Sequence, residues 1–373
     1  MSIDVPVQRL LVVEVAQGEH WTKVIGPFMI YLNSGPNPDA MWRDALAKAS
    51  QEAEAWPYHW VSGVDYPLKE QRGTIAGELS LNDPQAATPQ LKNLLVGLSA
   101  PDYIPQSKDG LRGDFAPVDW QLDAKHYEFW VRADAQGRFR IPKIRPGNYT
   151  LHAFADGVLG EFTKTNLSVA SGQTIDLGRL EWKPIRYGRQ LWEIGIPNRS
   201  AEEFRHGSDY WHWGLYLLYP KEFPNDVNFT IGKSDYRKDW NYCQTPRIQQ
   251  DDGTAKGPAT ATTWSITFDL PHAMAGKAVL RMALAGNSVK SGIDVSVNNV
   301  SVGGTGPMQD TAVLRRDGIR GYWFEKDVTF DATAMKAGTN TLKLSIPAGG
   351  VMSGVLYDYL RLEVDEAAPA KGF

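Results

Sequence analysis

Apolar and polar residues alternate with a period of two through most of this chain, the pattern of strands with one buried face. In "RFRIPKI" the alternation sets Phe139, Ile141 and Lys143 on one side. It sets Ile266, Phe268 and Leu270 together in "TWSITFDLP", and Leu342, Leu344 and Ile346 together in "TNTLKLSIP". Turn residues punctuate these runs, as in "DAQG" and "RPGNY". Five to seven short strands between "RGTIAGEL" and "DLGRLEW" predict a small β-sandwich. Pro184 and the basic run "WKPIRYGRQ" interrupt them, and the strands beyond suit a jelly roll. Near the N-terminus, "LLVVEVA" and "VIGPFMIYLN" read as two strands of a sheet. One helix follows, with Asp39 as its N-cap and Pro57 as its stop. Trp42, Leu46, Ala49, Ala53 and Trp56 recur at helical spacing and are expected to form its buried face. The polar segment from Gln244 to Thr263 reads as a long exposed loop. The fold class is therefore all-β, divided at 1–70, 71–185 and 186–366 with a tail over 367–373.

Composition narrows the possible partners. A net charge of -4 over 373 residues argues against nucleic acid, which requires a basic stripe. The 13 tryptophans are many for this length, which suits either carbohydrate handling or large aromatic cores. The single cysteine, Cys243, excludes internal disulfides and Cys-based metal sites, and reads as a small buried hydrophobe. No apolar run is long enough to span a membrane. "MSIDVPVQRLLVVEV" lacks a positive n-region and does not read as a signal peptide. In "SDYWHWGLYLLYP" a strand would place Trp211, Trp213, Leu215 and Leu217 on one face, which reads as core.

Several long stretches, in order, resemble the rhamnogalacturonan lyases of polysaccharide lyase family 4. They are "GEHWTKVIGPFMIYLNSG", "AWPYHWV", "YPLKEQRGTIAGELSL", "GRFRIPKIRPGNYTLHAFADGVLGEF", "LWEIGIPNRSAEEFRHGSDYWHWGLYLLYPKEFPNDVNFTIGKSDYRKDWNY" and "GVLYDYLRLEV". The resemblance implies the last part of a large catalytic β-sandwich with one helix. It then implies a fibronectin III-like or transthyretin-like sandwich and a jelly roll of carbohydrate-binding-module type. The sheets that carry the family's catalytic lysine, histidine and carboxylate-binding arginine have no counterpart in this sequence. The implied reaction is β-elimination in the galacturonosyl–rhamnose backbone of pectin, and the implied location is extracellular or periplasmic. A monomer that acts on rhamnogalacturonan I and requires no cofactor is expected. Jelly rolls of this type often hold a structural calcium, but no loop shows a specific calcium pattern and none is assigned.

β-Elimination needs a neutralised carboxylate and a base that is uncharged near working pH. No catalytic residue is assigned in this sequence. His20, Trp21 and Lys23 are the candidates for lining a substrate groove, while Lys48 and Glu52, at i and i+4, read as a solvated ion pair. In "LRRDGIRGYWFEKD", Arg316, Arg320 and Tyr322 combine cations with an aromatic face and are the carbohydrate-binding candidates. Two further readings stand beside the lyase: a pectin-binding protein without chemistry, and a structural or adhesive array. Residues 1–70 are expected to be the least stable part, with proteolysis inside "SGVDYPLKEQ".

Overall fold

The computed structural model describes residues 15, 18–86, 89–104, 118–209, 218–249, 256–288, 291–308, 321–349 and 353–367. Helix α1 spans Pro38–Ala55. Its N-cap is Asn37, two residues before the expected Asp39, because Pro38 fits the first helical turn and the Asn37 side-chain Oδ1 accepts from the Ala40 amide at 2.9 Å. The expected stripe is mostly exposed. Trp42, Leu46, Ala49 and Ala53 face outward and Trp56 is half-buried, as are Met41, Ala45, Lys48 and Glu52 on the other side. Lys48 and Glu52 form the ion pair at 2.6 Å. The first expected strand lies almost wholly outside the described residues. The second is no strand: residues 24–33 have no pairing partner among the described residues and run as irregular chain, with Phe28, Ile30 and Leu32 exposed.

The small sandwich comprises β1 (Gly73–Leu81), β2 (Lys92–Ser99), β3 (Phe129–Arg132), β4 (Arg138–Ile144), β5 (Gly147–Asp156), β6 (Phe162–Val169) and β7 (Thr174–Trp182). Two sheets, β4-β1-β7 and β3-β2-β5-β6, face each other. Between them lie Ile75, Leu79, Val96, Leu98, Ile141, Leu151 and Trp182. The expected alternation of β4 breaks at Lys143, whose φ of 62° resets the pleat, so Ile144 turns inward instead. The pairing with β1 shifts register at the same place, as a β-bulge does.

The jelly roll begins with β8 (Arg189–Gly195), β9 (Asn228–Thr230) and β10 (Cys243–Gln244). A hairpin, β11 (Arg247–Gln249) with β12 (Lys256–Thr260), occupies part of the segment expected to be loop. Then come β13 (Thr262–Leu270), β14 (Lys277–Ser288), β15 (Asp294–Val297), β16 (Val300–Gly304), β17 (Phe324–Asp331), β18 (Gly338–Ile346) and β19 (Gly354–Asp365). One sheet runs β10-β19-β14-β17 with β8 also on β19, and the other runs β16-β15-β18-β13-β9. Ile266, Phe268, Leu342, Leu344 and Ile346 are buried as the alternation implies. Tyr219, Trp240, Trp264 and Tyr357 form an aromatic centre in which the Trp264 indole donates to the Tyr219 hydroxyl at 2.6 Å. Cys243 is buried there, and burial pushes its thiol up to about 12. The Trp211 and Trp213 stretch lies outside the described residues.

Polar contacts tie the two sandwiches together. Arg186 bonds Asp83 at 2.6 Å and Glu363 at 3.4 Å, and Arg281 donates to the Ile185 carbonyl at 2.6 Å. Gln121 both donates to the Trp323 carbonyl and accepts from its amide, at 3.0 Å each. No described helix is long and apolar enough to cross a membrane.

Candidate functional site

The groove candidates from the sequence sit against one end of the small sandwich. There a cleft of about 450 Å³ is lined by Tyr103, Lys125, His126, Tyr127, Arg145 and Asn148. Its wall is set by Asp123, whose carboxylate accepts from the Lys125 amide and from His126 Nδ1, both at 2.8 Å. Burial works against the charged form of Asp123. The His126 and Lys125 hydrogen bonds outweigh it and hold the carboxyl below its usual range. Tyr103 donates to Asp123 and meets the His126 ring edge-on at 5.1 Å. Opposite, the Arg145 guanidinium lies over the Tyr127 ring at 4.4 Å, while its Nη2 bonds Asp65 at 2.5 Å. Lys125 pairs with Glu19 at 2.5 Å.

Trp21 and Lys23 do not line this cleft but bond the backbone of the loop that forms its wall. The Trp21 indole donates to the Lys125 carbonyl at 3.2 Å, and Lys23 donates to the carbonyls of Ala124 and His126 at 2.7 and 2.5 Å. The Val24 amide donates to the Tyr127 hydroxyl at 2.7 Å. Both Lys23 bonds go to backbone carbonyls, so its side chain tethers the N-terminal segment to this loop. His20 is exposed beside them.

Tyr322 lies elsewhere, in the seam between the sandwiches. Its hydroxyl donates to Asp119 at 3.2 Å and its ring stacks on Phe324 at 5.9 Å. Arg316 and Arg320 lie outside the described residues. Sequence reasoning missed Tyr103, Lys125, His126, Tyr127 and Arg145. The available signal is the adjacency of cations and rings in "AKHYEF" and in "RPGNY", the second of which reads as a turn. Among the described residues no group of three or more His, Cys, Asp or Glu is arranged to hold a metal. The groove can therefore offer cationic N–H groups and aromatic faces together, the two things an acidic sugar requires.

Comparison with known proteins agrees with this architecture. A family model described as polysaccharide lyase family 4, domain III, matches residues 190–362, and one described as domain II of the same family matches residues 101–177. The molecule is thus an all-β protein that pairs a fibronectin III-like sandwich with a carbohydrate-binding-module-like jelly roll. The chain belongs to polysaccharide lyase family 4. It is 27% identical over 372 residues to a probable rhamnogalacturonate lyase B of Aspergillus terreus, covering 86% of this chain and 52% of that protein. It is 28% identical over 350 residues to the rhamnogalacturonate lyase of Dickeya dadantii, covering 91% of this chain and 52% of that protein. The chain spans about half the length of the curated relatives it matches. A carbohydrate-binding module of family 35 from Paenibacillus barcinonensis aligns with 32% of this chain and 88% of its own at 19% identity, with a TM-score of 0.20, a likeness too slight to argue from.

Proposed function

We propose that this chain acts on rhamnogalacturonan as part of an endolyase that cleaves the galacturonosyl–rhamnose backbone by β-elimination. Its described residues hold the acidic polymer, and none of them is assigned the elimination step. The observation that carries the reading is the groove itself, where Lys125, His126 and Arg145 surround Tyr103 and Tyr127. The Lys125 and Arg145 N–H groups not taken by Glu19 and Asp65 can meet galacturonate carboxylates while the rings face the C–H surfaces of the sugars. The names of the relatives support the choice of polymer. A pectin-binding protein without chemistry is the second reading, favoured by the use of Lys23 as an anchor.

The test uses the full chain in two assays. In affinity gels, rhamnogalacturonan is expected to retard the protein more than a neutral glucan, and less so as salt rises. Replacing Lys125 and His126 by Ala together is expected to remove most of that difference. Equal retardation by both polymers would overturn the reading. Incubation with rhamnogalacturonan is expected to give no rise in the ultraviolet absorbance of unsaturated uronate. A rise abolished by Lys23→Ala would show that Lys23 is a base after all.

A further inference from the structure

A second cleft, of about 710 Å³, lies between the two sandwiches and away from the groove. Strand pairing builds its floor. Leu95 on β2 stands opposite Arg132 on β3 and Phe154 on β5, so these three side chains form one row across the outer face of the sheet. Trp120 covers the next row, 4.7 Å from Trp130. The roof comes from the jelly roll: Asn198, Arg199, Ser200, Glu202 and Trp323.

The walls are held in place before any ligand arrives. The Arg199 guanidinium is clamped between the rings of Phe154 and Trp323, at 4.1 and 4.3 Å. It pairs with Glu161, which also accepts from the Trp120 indole at 3.2 Å and lies 2.5 Å from His152 Nδ1. His152 Nε2 in turn lies 2.8 Å from the Ser99 hydroxyl. The charge of Arg199 is thus matched by Glu161. Arg132 differs: it is exposed and has no ion-pair partner among the described residues. Polar groups ring the opening, with Asn93 bonded to Asp156 at 2.6 Å.

We propose that this cleft binds a short sugar chain carrying a uronate. Arg132 takes the carboxylate, Leu95 and the edges of Trp120 and Phe154 face the apolar side of the sugar, and Asn93, Asp156, Asn198 and Ser200 meet its hydroxyls. An apolar wall, a cation without an ion-pair partner, and hydrogen-bonding groups that include the Asp156 and Glu202 carboxylates suit a sugar carrying one acid group among many hydroxyls. The volume is within the range of sites that enclose small ligands, roughly 300–1,000 Å³. The choice of a pectic sugar rests on the function proposed above, whereas the carboxylate and the apolar wall follow from the cleft alone.

The experiment titrates the full chain with a rhamnogalacturonan tetrasaccharide of alternating galacturonate and rhamnose, with maltotetraose as the neutral control. Binding is followed by calorimetry and by the indole N–H resonances of Trp120 and Trp323. The pectic tetrasaccharide is expected to shift both resonances, and maltotetraose neither. Arg132→Ala is expected to weaken the event that shifts them tenfold or more, with Arg132→Lys recovering part of the loss. Leu95→Trp, which fills the floor, is expected to abolish it. Lys125→Ala is expected to leave those resonance shifts intact. Binding that is lost in Lys125→Ala but unchanged in a folded Arg132→Ala protein would overturn the cleft and leave the groove standing. Loss of every calorimetric event in Arg132→Ala, with none lost in Lys125→Ala, would overturn the groove and sustain the cleft. No calorimetric or spectral response at millimolar tetrasaccharide would overturn both.

Discussion

At the residue scale, two carboxyls beneath the roof of the cleft couple stability to pH. Asp358 is fully buried and accepts from the Asn198 amide and the Trp323 indole. Burial pushes it up to about 7, against the opposing effect of these hydrogen bonds and of Arg199. Burial and the nearby charge of Asp358 push Glu203 up to about 8. The folded chain therefore binds protons more tightly than the unfolded one. The stabilisation is whole below about pH 4 and is lost as pH rises through about 7–8. Stability against thermal unfolding is expected to fall by roughly 4 kcal/mol or more across that window, and Glu203→Gln to flatten the slope. A stability profile just as steep in Glu203→Gln would remove the pair as its cause. Gly97 makes a separate case, since a Cβ there would lie 2.2 Å from the Trp130 ring. Gly97→Ala is expected to destabilise by about 1–3 kcal/mol in chemical denaturation, because the ring must leave the sheet. Neither feature was legible in the sequence. Each depends on which residue stands across the sheet or across the seam, and one strand's pattern does not contain that.

At the scale of elements, strand faces were legible wherever the pleat ran unbroken. β13 and β18 bury the residues their alternation selects, because each is paired along its length. β4 was legible only to Ile141, since the positive φ at Lys143 is a backbone choice that the apolar pattern does not announce. The helix was found from its spacing, but its buried side was not. Its apolar stripe has no surface to pack on among the described residues, and tethers replace packing: Lys143 donates to the Ala53 carbonyl at 2.8 Å and Arg72 lies over the Trp56 ring at 4.7 Å. Of the site, Trp21 and Lys23 were legible as a pair that meets the wall loop, whereas the cleft itself needs loops distant in sequence. The jelly-roll centre is expected to dominate stability. Trp264→Ala should lower it by about 3–5 kcal/mol in denaturant titration, since it leaves a large cavity and takes from the Tyr219 hydroxyl one of its two hydrogen bonds, that to Asp226 remaining. A loss below about 1 kcal/mol would mean the centre repacks freely.

At the scale of the whole molecule, the N-terminal part is attached at a few points. Asp65 bonds Arg145, Tyr66 is buried, and Gln71 accepts from the Leu68 amide at 2.7 Å, so the stretch expected to be cut is held down. Limited proteolysis is instead expected between residues 25 and 36, where exposed apolar side chains lie on unpaired backbone. First cleavage within 62–71 would contradict this. The jelly roll is closed differently. Its opening strand, β8, pairs with β19, so Tyr359 stands opposite Gly195 and Leu362 opposite Trp192. During synthesis, β8 must wait for a partner that leaves the ribosome last among the described strands. At ordinary elongation rates of about 5–20 residues per second, that wait is on the order of 10–30 s. The small sandwich can fold within it, but the nascent jelly roll holds an open sheet edge until translation reaches β19, and that interval is when a chaperone would find it.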